Sequence, residues 1–360
     1  MLSHLRVGFL SPHNPFDRQA FSGTAYFMYR ALSQRGDVQA RVLGPHRPPS
    51  RLRRFARLAG QGAPAVDPAR LDLSGLDGII GLAATVQMQA LLPRTEIPIV
   101  HVTDATPGFI RSFYGNPVSE ADERREVEVV RGAALTVYSS DYMAKRAVEE
   151  LGADPARVAS VPFGINIEVL PEAAPDKPPL DPLRLLWVGN DWGRKGGQIA
   201  LETVAALRAD GVDARLSLVG DVPRDLALPQ GAERIGYLDK ARPRDAARLT
   251  RLFAEAHLFV LPTRADCTPM VVAEANAHAT PVLITETGGI GSLIAAGTNG
   301  RMMAMEAGPR DWAAAVRDLT GDPARHAALC RTSFDHAHAR LTWGAWARDV
   351  TALLRRAVSA

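Results

Sequence analysis

An α/β protein of two doubly wound parallel-sheet domains is the fold class that the sequence predicts, on three observations. The chain has 360 residues, more than one hydrophobic core usually serves. Short apolar runs alternate with amphipathic stretches, as in parallel sheets covered by helices on both faces. A segment rich in proline and acid, "EVLPEAAPDKPPLDP" at 168–182, breaks that alternation near residue 170, and the pattern then restarts. Its prolines have no amide to donate and a fixed φ, which keeps the segment out of helix and sheet.

The strands follow in order. In the first half they are the apolar runs at 5–11, 40–44, 78–82, 97–104, 135–140 and 158–164, each bounded by turn formers. In the second half they are 183–190, 214–220, 257–262 and 281–285, with helices between. Helical segments at 309–320, 322–339 and 343–359 close the chain. No repeat at a solenoid period and no low-complexity tract is present.

Apolar content of 46% and charged content of 22% are those of a soluble globular protein. Two cysteines, Cys267 and Cys330, form no CxxC or Cys/His cluster, which argues against a zinc framework and suits a reducing cytosol. The opening "MLSHLRVGFLSPHNP" is too short an apolar run for a signal peptide, and no window is long enough to span a membrane. The net charge of +3 is uninformative, but its distribution is not. Arg41, Arg47, Arg51, Arg53, Arg54 and Arg57 fall between 41 and 57 without one carboxylate. Such a run is either a solvated face or a surface for an anionic partner, a membrane or a phosphorylated acceptor. With Phe55 its one aromatic, it carries no nucleic-acid reading motif.

Doubly wound sheets bind ligands beyond the carboxyl ends of their strands, so the loops there are where chemistry is sought. After the first strand, Ser22-Gly23-Thr24 precedes an amphipathic helix. This is either a glycine that lets a phosphate or sugar approach free helix amides, or a Ser/Thr cap beside a tight turn. No GxGxxG follows, which argues against a dinucleotide cofactor. After the first strand of the second half, "GRKGG" puts Arg194 and Lys195 at a helix start, where the macrodipole disfavours cations unless an anion joins them. With Gly196 and Gly197 they suit a diphosphate clamp, the guanidinium binding bidentately and the ammonium as a point charge.

The stretch "RADCTPMVVAEANAHATPV" is the third such loop. Thr268 and Pro269 read as N-cap and first helical residue, leaving the amides of Met270 and Val271 among the orphan donors. Asp266 stands outside the helix mouth, and Glu274 lies inside with His278 four residues on. Ionised carboxylates accept hydrogen bonds, so this pair suits a hydroxyl-rich ligand, the alternative being a cap and a solvated helical acid. Gly288 and Gly289 follow the next strand at another expected helix start.

These pieces resemble glycosyltransferase family 4, the retaining sugar transferases of GT-B fold. The matching residues are "SGT" after the first strand, "TDAT" at 103–106, "VPFGIN" at 161–166, "RKGG" at 194–197 and "ADCTPMVVAEANAHATPVLITETGG". The resemblance implies two Rossmann-like domains facing each other across a cleft. They would be an acceptor-side domain at 1–168, a donor-binding domain at 169–340, and a closing helix at 341–360 that returns to the first domain and permits closure. The family's paired acids fall on Asp266, here one methylene shorter, and Glu274. Asp266 would contact the transferred hexose and Glu274 the donor ribose. Arg194 and Lys195 would hold the diphosphate, with Gly23, Pro269, Met270, Val271, Gly288 and Gly289 lining the donor. Pro269 replaces the family's usual glycine. Asp104 stands at or beside the family's N-terminal histidine, and His101, within a strand, is either a sugar or acceptor contact or a core histidine.

The implied reaction is hexose transfer from a UDP- or GDP-sugar with retention, the diphosphate taking the acceptor's proton. No cofactor or resident metal is called for, since no DxD motif occurs. The implied acceptor is a glycan, a lipid-linked or a small-molecule hydroxyl, and nucleic acid is not a partner. The expected location is the cytoplasm, at the inner membrane face if Arg51, Arg53 and Arg54 bind lipid. Competing readings are a non-catalytic nucleotide-sugar-binding partner of another transferase, or another GT-B enzyme such as an inverting transferase or epimerase.

Overall fold

The structure, a computed structural model, describes residues 4–46 and 66–359. Arg47, Arg51, Arg53, Arg54 and Arg57 lie outside the described residues. Arg41 lies within them, and its guanidinium bonds to the Asp72 carboxylate and to the Asp72 and Ser74 carbonyls. For Arg41 the missing carboxylate is thus supplied from elsewhere in the chain.

Two compact units are formed, one of Met1–Asn166 with Trp343–Ala360 and one of Ile167–Thr342. In the first unit the order is β1 (Leu5–Leu10), α1 (Thr24–Ser33), β2 (Val38–Leu43), β3 (Gly78–Leu82), α2 (Thr85–Leu91) and β4 (Ile99–Thr103). Then follow α3 (Pro107–Phe113), α4 (Glu120–Gly132), β5 (Leu135–Tyr138), α5 (Asp141–Leu151) and β6 (Val158–Ser160). The strands form one parallel sheet in the order β2-β1-β3-β4-β5-β6. β3 is buried along its whole length, which accounts for its unbroken apolar run. β6 stops at Ser160, short of the expected 164, because Pro162 has no amide for a ladder while Phe163 and Ile165 turn into the core.

The second unit runs β7 (Leu183–Gly189), α6 (Gly197–Ala209), β8 (Ala214–Gly220), β9 (Ala232–Gly236), α7 (Pro243–Glu255) and β10 (Leu258–Leu261). It continues with α8 (Met270–Ala277), β11 (Val282–Thr285), β12 (Gly300–Met303), α9 (Pro309–Thr320) and α10 (Pro323–Arg340). Its parallel sheet has the order β12-β11-β10-β7-β8-β9. The sequence missed β9 and β12. Both are edge strands and only part-buried, so they need no apolar run to announce them.

The closing helix α11 (Trp343–Ser359) packs into the first unit. Its Trp343, Trp346, Val350 and Leu354 are buried, and a Cβ on Gly78 of β3 would stand 2.6 Å from Leu354 Cδ1. A side chain at Gly78 would force Leu354 to shift, so the glycine lets the helix lie close to the strand.

Both sheets are doubly wound. The chain steps outward from β1 to β2, then returns to β3 on the other side of β1. Likewise β7, β8 and β9 step one way and β10, β11 and β12 the other. The strand order therefore reverses between β1 and β3 and between β7 and β10, and the carboxyl ends there are where such sheets hold ligands.

Candidate functional site

At the reversal in the second unit, the loop after β7 meets the loop after β10. The indole N–H of buried Trp187 bonds the Lys195 carbonyl at 3.0 Å. Gly196 adopts φ +66°, and a Cβ there would lie 1.8 Å from the Pro262 carbonyl oxygen. A Cβ on Gly197 would enter the Trp192 ring. The two glycines thus let the β7 loop press against the β10 loop, and the Arg264 amide to Arg194 carbonyl bond at 2.7 Å joins them.

That contact brings the predicted charges together. Lys195 Nζ donates to Asp266 Oδ2 at 2.5 Å, with both side chains about nine-tenths buried. Arg194 Nη1 stands 3.8 Å from the same oxygen and donates to the Ala265 carbonyl at 2.9 Å. Its Nε binds Asp191 at 3.1 Å. The Arg194 amide and then its guanidinium hold the Asp191 carboxyl below the usual range. The anion that two cations at a helix start require is provided by the protein itself, and Asp191 was not foreseen.

Asp266 is not an exposed rim acid. It is 6% exposed, and its carbonyl accepts the Gly289 amide at 3.3 Å. Glu274, 1% exposed, is likewise no solvated helical acid. Its Oε1 is bonded by Lys240 Nζ, from the loop between β9 and α7, a side chain about half exposed. Lys240 escaped the sequence reading because it follows the unrecognised edge strand. His278 ends α8: its Nδ1 bonds the Glu274 carbonyl and its ring stacks on Phe253 at 5.5 Å. Burial pushes its pKa down, so it is a neutral structural residue at pH 7.

Two helix starts differ from expectation. Pro269 is the N-cap of α8, not its first helical residue, with ψ of 108° that is extended rather than helical. Met270 and Val271 are then the first two helical positions, as half-buried residues. After β11 no α-helix begins. Gly288 takes φ +53° and Gly289 precedes a three-residue 3₁₀ turn, Ile290–Ser292.

In the first unit the strand reversal carries strain in place of charge. Phe21 and Ser22 have φ of +52° and +56°, and Gly23 has φ of +86°. Gly23 is the N-cap of α1 and no side chain caps that helix, so the Ser/Thr cap alternative does not hold. Across the reversal, Ala83 after β3 has φ +46°. Asp104 is half-buried at the end of β4, at the same edge of the sheet. His101 is a correction. It is fully buried inside β4 with Nε2 2.8 Å from Glu126 Oε1, which makes it a core residue and not a ligand contact.

Helix capping follows the same line only in part, since α7, which follows no reversal strand, also lacks a side-chain cap. Side chains of Thr106, Ser119, Ser140 and Asp322 cap α3, α4, α5 and α10. The four helices that follow the reversal strands, α1, α2, α6 and α8, have no side-chain cap. Their starts leave amide dipoles directed at the loops where Lys195, Asp266 and the turn at 21–23 lie.

Comparison with known proteins agrees with the fold. Residues 182–322 match the family model described as "Glycosyl transferases group 1". A D-inositol 3-phosphate glycosyltransferase of Catenulispora acidiphila is 31% identical over 251 residues, covering 65% of this chain and 58% of that protein. A D-inositol 3-phosphate glycosyltransferase of Segniliparus rotundus is 27% identical over 285 residues, covering 74% and 62%. The chain thus spans less than two thirds of the length of either. Among solved structures, sucrose-phosphate synthase from Thermosynechococcus elongatus superposes with a TM-score of 0.67 at 17% identity, covering 98% of this chain and 99% of that one. Anabaena HepE, solved in complex with UDP and glucose, gives 0.65 at 16% identity, covering 98% and 100%. The fold is GT-B, and the resemblance to glycosyltransferase family 4 is borne out.

Proposed function

We propose that this chain is a glycosyltransferase that moves a hexose from a nucleotide-diphosphate sugar to an acceptor hydroxyl, with retention at the anomeric carbon. The observation that carries the reading is the meeting of Lys195 and Arg194 with Asp266 beside two uncapped helix starts at the β7 and β10 reversal, with Glu274 buried on one of those helices and held by Lys240. Cations and helix amides suit a diphosphate, and buried carboxylates suit hydroxyls.

In this reading Lys195 and Arg194 take the diphosphate, helped by the first amides of α8 at Met270 and Val271. Gly288 and Gly289 let the donor approach the backbone, and Pro269 shapes the mouth without donating. Glu274 accepts the ribose hydroxyls, which share it with Lys240 or displace it. Asp266 holds the Lys195 ammonium in place and faces the hexose. In the first unit, Gly23 and Asp104 serve the acceptor side. The chemistry needs positioning and stabilisation of the negative charge that grows on the leaving diphosphate. That diphosphate takes the proton from the incoming hydroxyl on the same face. No resident metal or cofactor is required, so activity should persist in EDTA. The curated relatives' names put an inositol phosphate first among acceptors to try. A lipid-linked acceptor, with membrane contact through Arg51, Arg53 and Arg54, is the next, tested by salt-sensitive liposome binding.

The test is a thermal-shift panel of UDP, GDP and ADP, their sugar conjugates, and NAD. A ligand at a hundred times its Kd stabilises the bound form by about 2.7 kcal/mol, a shift easily read. One nucleoside diphosphate and its sugar should raise Tm in the parent and fail to do so in Glu274→Ala. No shift with any diphosphate, or a shift with NAD alone, would remove the reading.

A further inference from the structure

The segment "VPFGIN" has no part in the donor site described above, yet its last residue reaches the strained turn. Asn166 is 5% exposed and both ends of its amide are used. Its Nδ2 donates to the Ser22 carbonyl at 2.8 Å, and its Oδ1 accepts the indole Nε1–H of Trp343 at 2.8 Å. The indole can only donate and the carbonyl can only accept, so one orientation of the amide satisfies both partners. The three residues are distant in sequence. Asn166 is the last residue before the chain leaves the first unit, and Trp343 is the first on its return.

The surroundings hold this bridge rigidly. A Cβ on Gly164 would lie 2.3 Å from the Trp343 backbone nitrogen, and the Phe163 ring packs on the Trp343 indole at 5.6 Å. At the other end, residues 21 and 22 hold left-handed φ values that are strained for non-glycine residues and persist only where neighbours enforce them. The Phe21 ring is fixed by stacking on His13 at 4.7 Å. The Ser22 carbonyl is fixed by Asn166.

We infer that Asn166 is a positioning residue. It anchors the left-handed turn at 21–23, and so the uncapped start of α1, to the two points where the chain passes between units. Phe21 and Ser22 supply the strained backbone, Asn166 holds it, and Trp343 aims Asn166. A shift in either crossing segment is carried to the turn through two hydrogen bonds. The kinetic part of this inference rests on the proposed function, while its structural part does not.

The experiment is hydrogen–deuterium exchange on the ligand-free full chain, comparing the parent with Asn166→Asp and Trp343→Phe. The carboxylate introduced by N166D would still accept from the indole but has no N–H for the Ser22 carbonyl, so this variant is the cleaner break. Amides of residues 20–26 should exchange about tenfold faster in N166D, the loss of one buried hydrogen bond. Those of β7 should not change. Trp343→Phe should reproduce the effect more weakly. The same variants are then assayed with the donor that the thermal-shift panel identifies. N166D should lower kcat/KM about tenfold, with affinity for the free nucleoside diphosphate within twofold of the parent. Unchanged exchange at 20–26, or exchange raised equally throughout the unit, would overturn the inference. If the parent binds no nucleoside diphosphate, the proposed function falls while the exchange result still decides the anchor.

Discussion

At its strand reversal the first unit offers backbone, and at its own the second unit offers charge. The turn at 21–23 places two non-glycine residues and a glycine in left-handed conformations before an uncapped helix. The loops after β7 and β10 place Lys195 against Asp266 in a contact about nine-tenths buried. The difference is instructive about preorganisation. A left-handed turn stores its cost as conformational strain that the surrounding fold must hold. A buried ion pair stores its cost as desolvation that the partner offsets. The first is sensitive to a carbonyl or a methyl group, the second to a single charge.

The largest expected effect breaks the charged side. Lys195→Met leaves the Asp266 carboxylate without its nearest cation. It should cost up to about 3 kcal/mol of stability in the second unit, the loss being moderated by Arg194, 3.8 Å from the same oxygen. Turnover should fall at least about a hundredfold for want of leaving-group stabilisation. Asp266→Asn sharpens the point. If Asp266 acts through Lys195, calorimetry should show weaker binding of the free nucleoside diphosphate as well as of the sugar donor. Full affinity for the diphosphate with loss confined to the sugar would assign Asp266 to the hexose alone.

A second lysine gives an intermediate effect and separates burial from ion pairing. Lys177, in the proline-rich linker, bonds the carbonyls of Phe253, Ala254 and His278 and the Thr280 hydroxyl, at 2.7 to 3.2 Å. Burial pushes its pKa down from 10.5 to about 7. Below pH 7 both folded and unfolded states carry the charge, and the folded state bears the full burial penalty. From pH 7 upward the folded lysine loses its proton first, so stability rises with pH. Cys330, raised from 9.0 to about 11, opposes this only above pH 9. The Tm of the parent should therefore gain on that of Lys177→Met between pH 7 and 9. A constant difference across that window would show the lysine to be charged in the fold.

The smallest effect lies on the strained side. Ser22→Gly removes the left-handed penalty but loosens the unfolded chain, and should stabilise the first unit by about 1 kcal/mol or less. A lower Tm for that variant would show that residue 22 is not strained.

Much of the fold was legible because central parallel strands are buried on both faces. β3, β7, β8, β10 and β11 announce themselves as apolar runs, and α9 and α11 by their periodicity. Edge strands β9 and β12 did not, since one side of each is free of that demand. The paired acids and "RKGG" were readable as candidate site residues because charges in an otherwise apolar setting need a reason. Asp191 and Lys240, their partners, were not, being ordinary charges in loops. His101 shows the converse: a histidine next to a motif that the fold spends on Glu126.

By itself, then, the sequence determined the α/β class, the break near residue 170 and the identity of the charges at the loop after β10. These follow from local rules: apolar periodicity, proline's missing amide and the cost of isolated charge. Only the tertiary structure decided which charges meet, that both acids are buried and paired, and that Asn166 joins Ser22 to Trp343. Such contacts join residues tens to hundreds of positions apart, and no local preference encodes them. They exist because strand order reverses at particular places and brings particular loops to one edge.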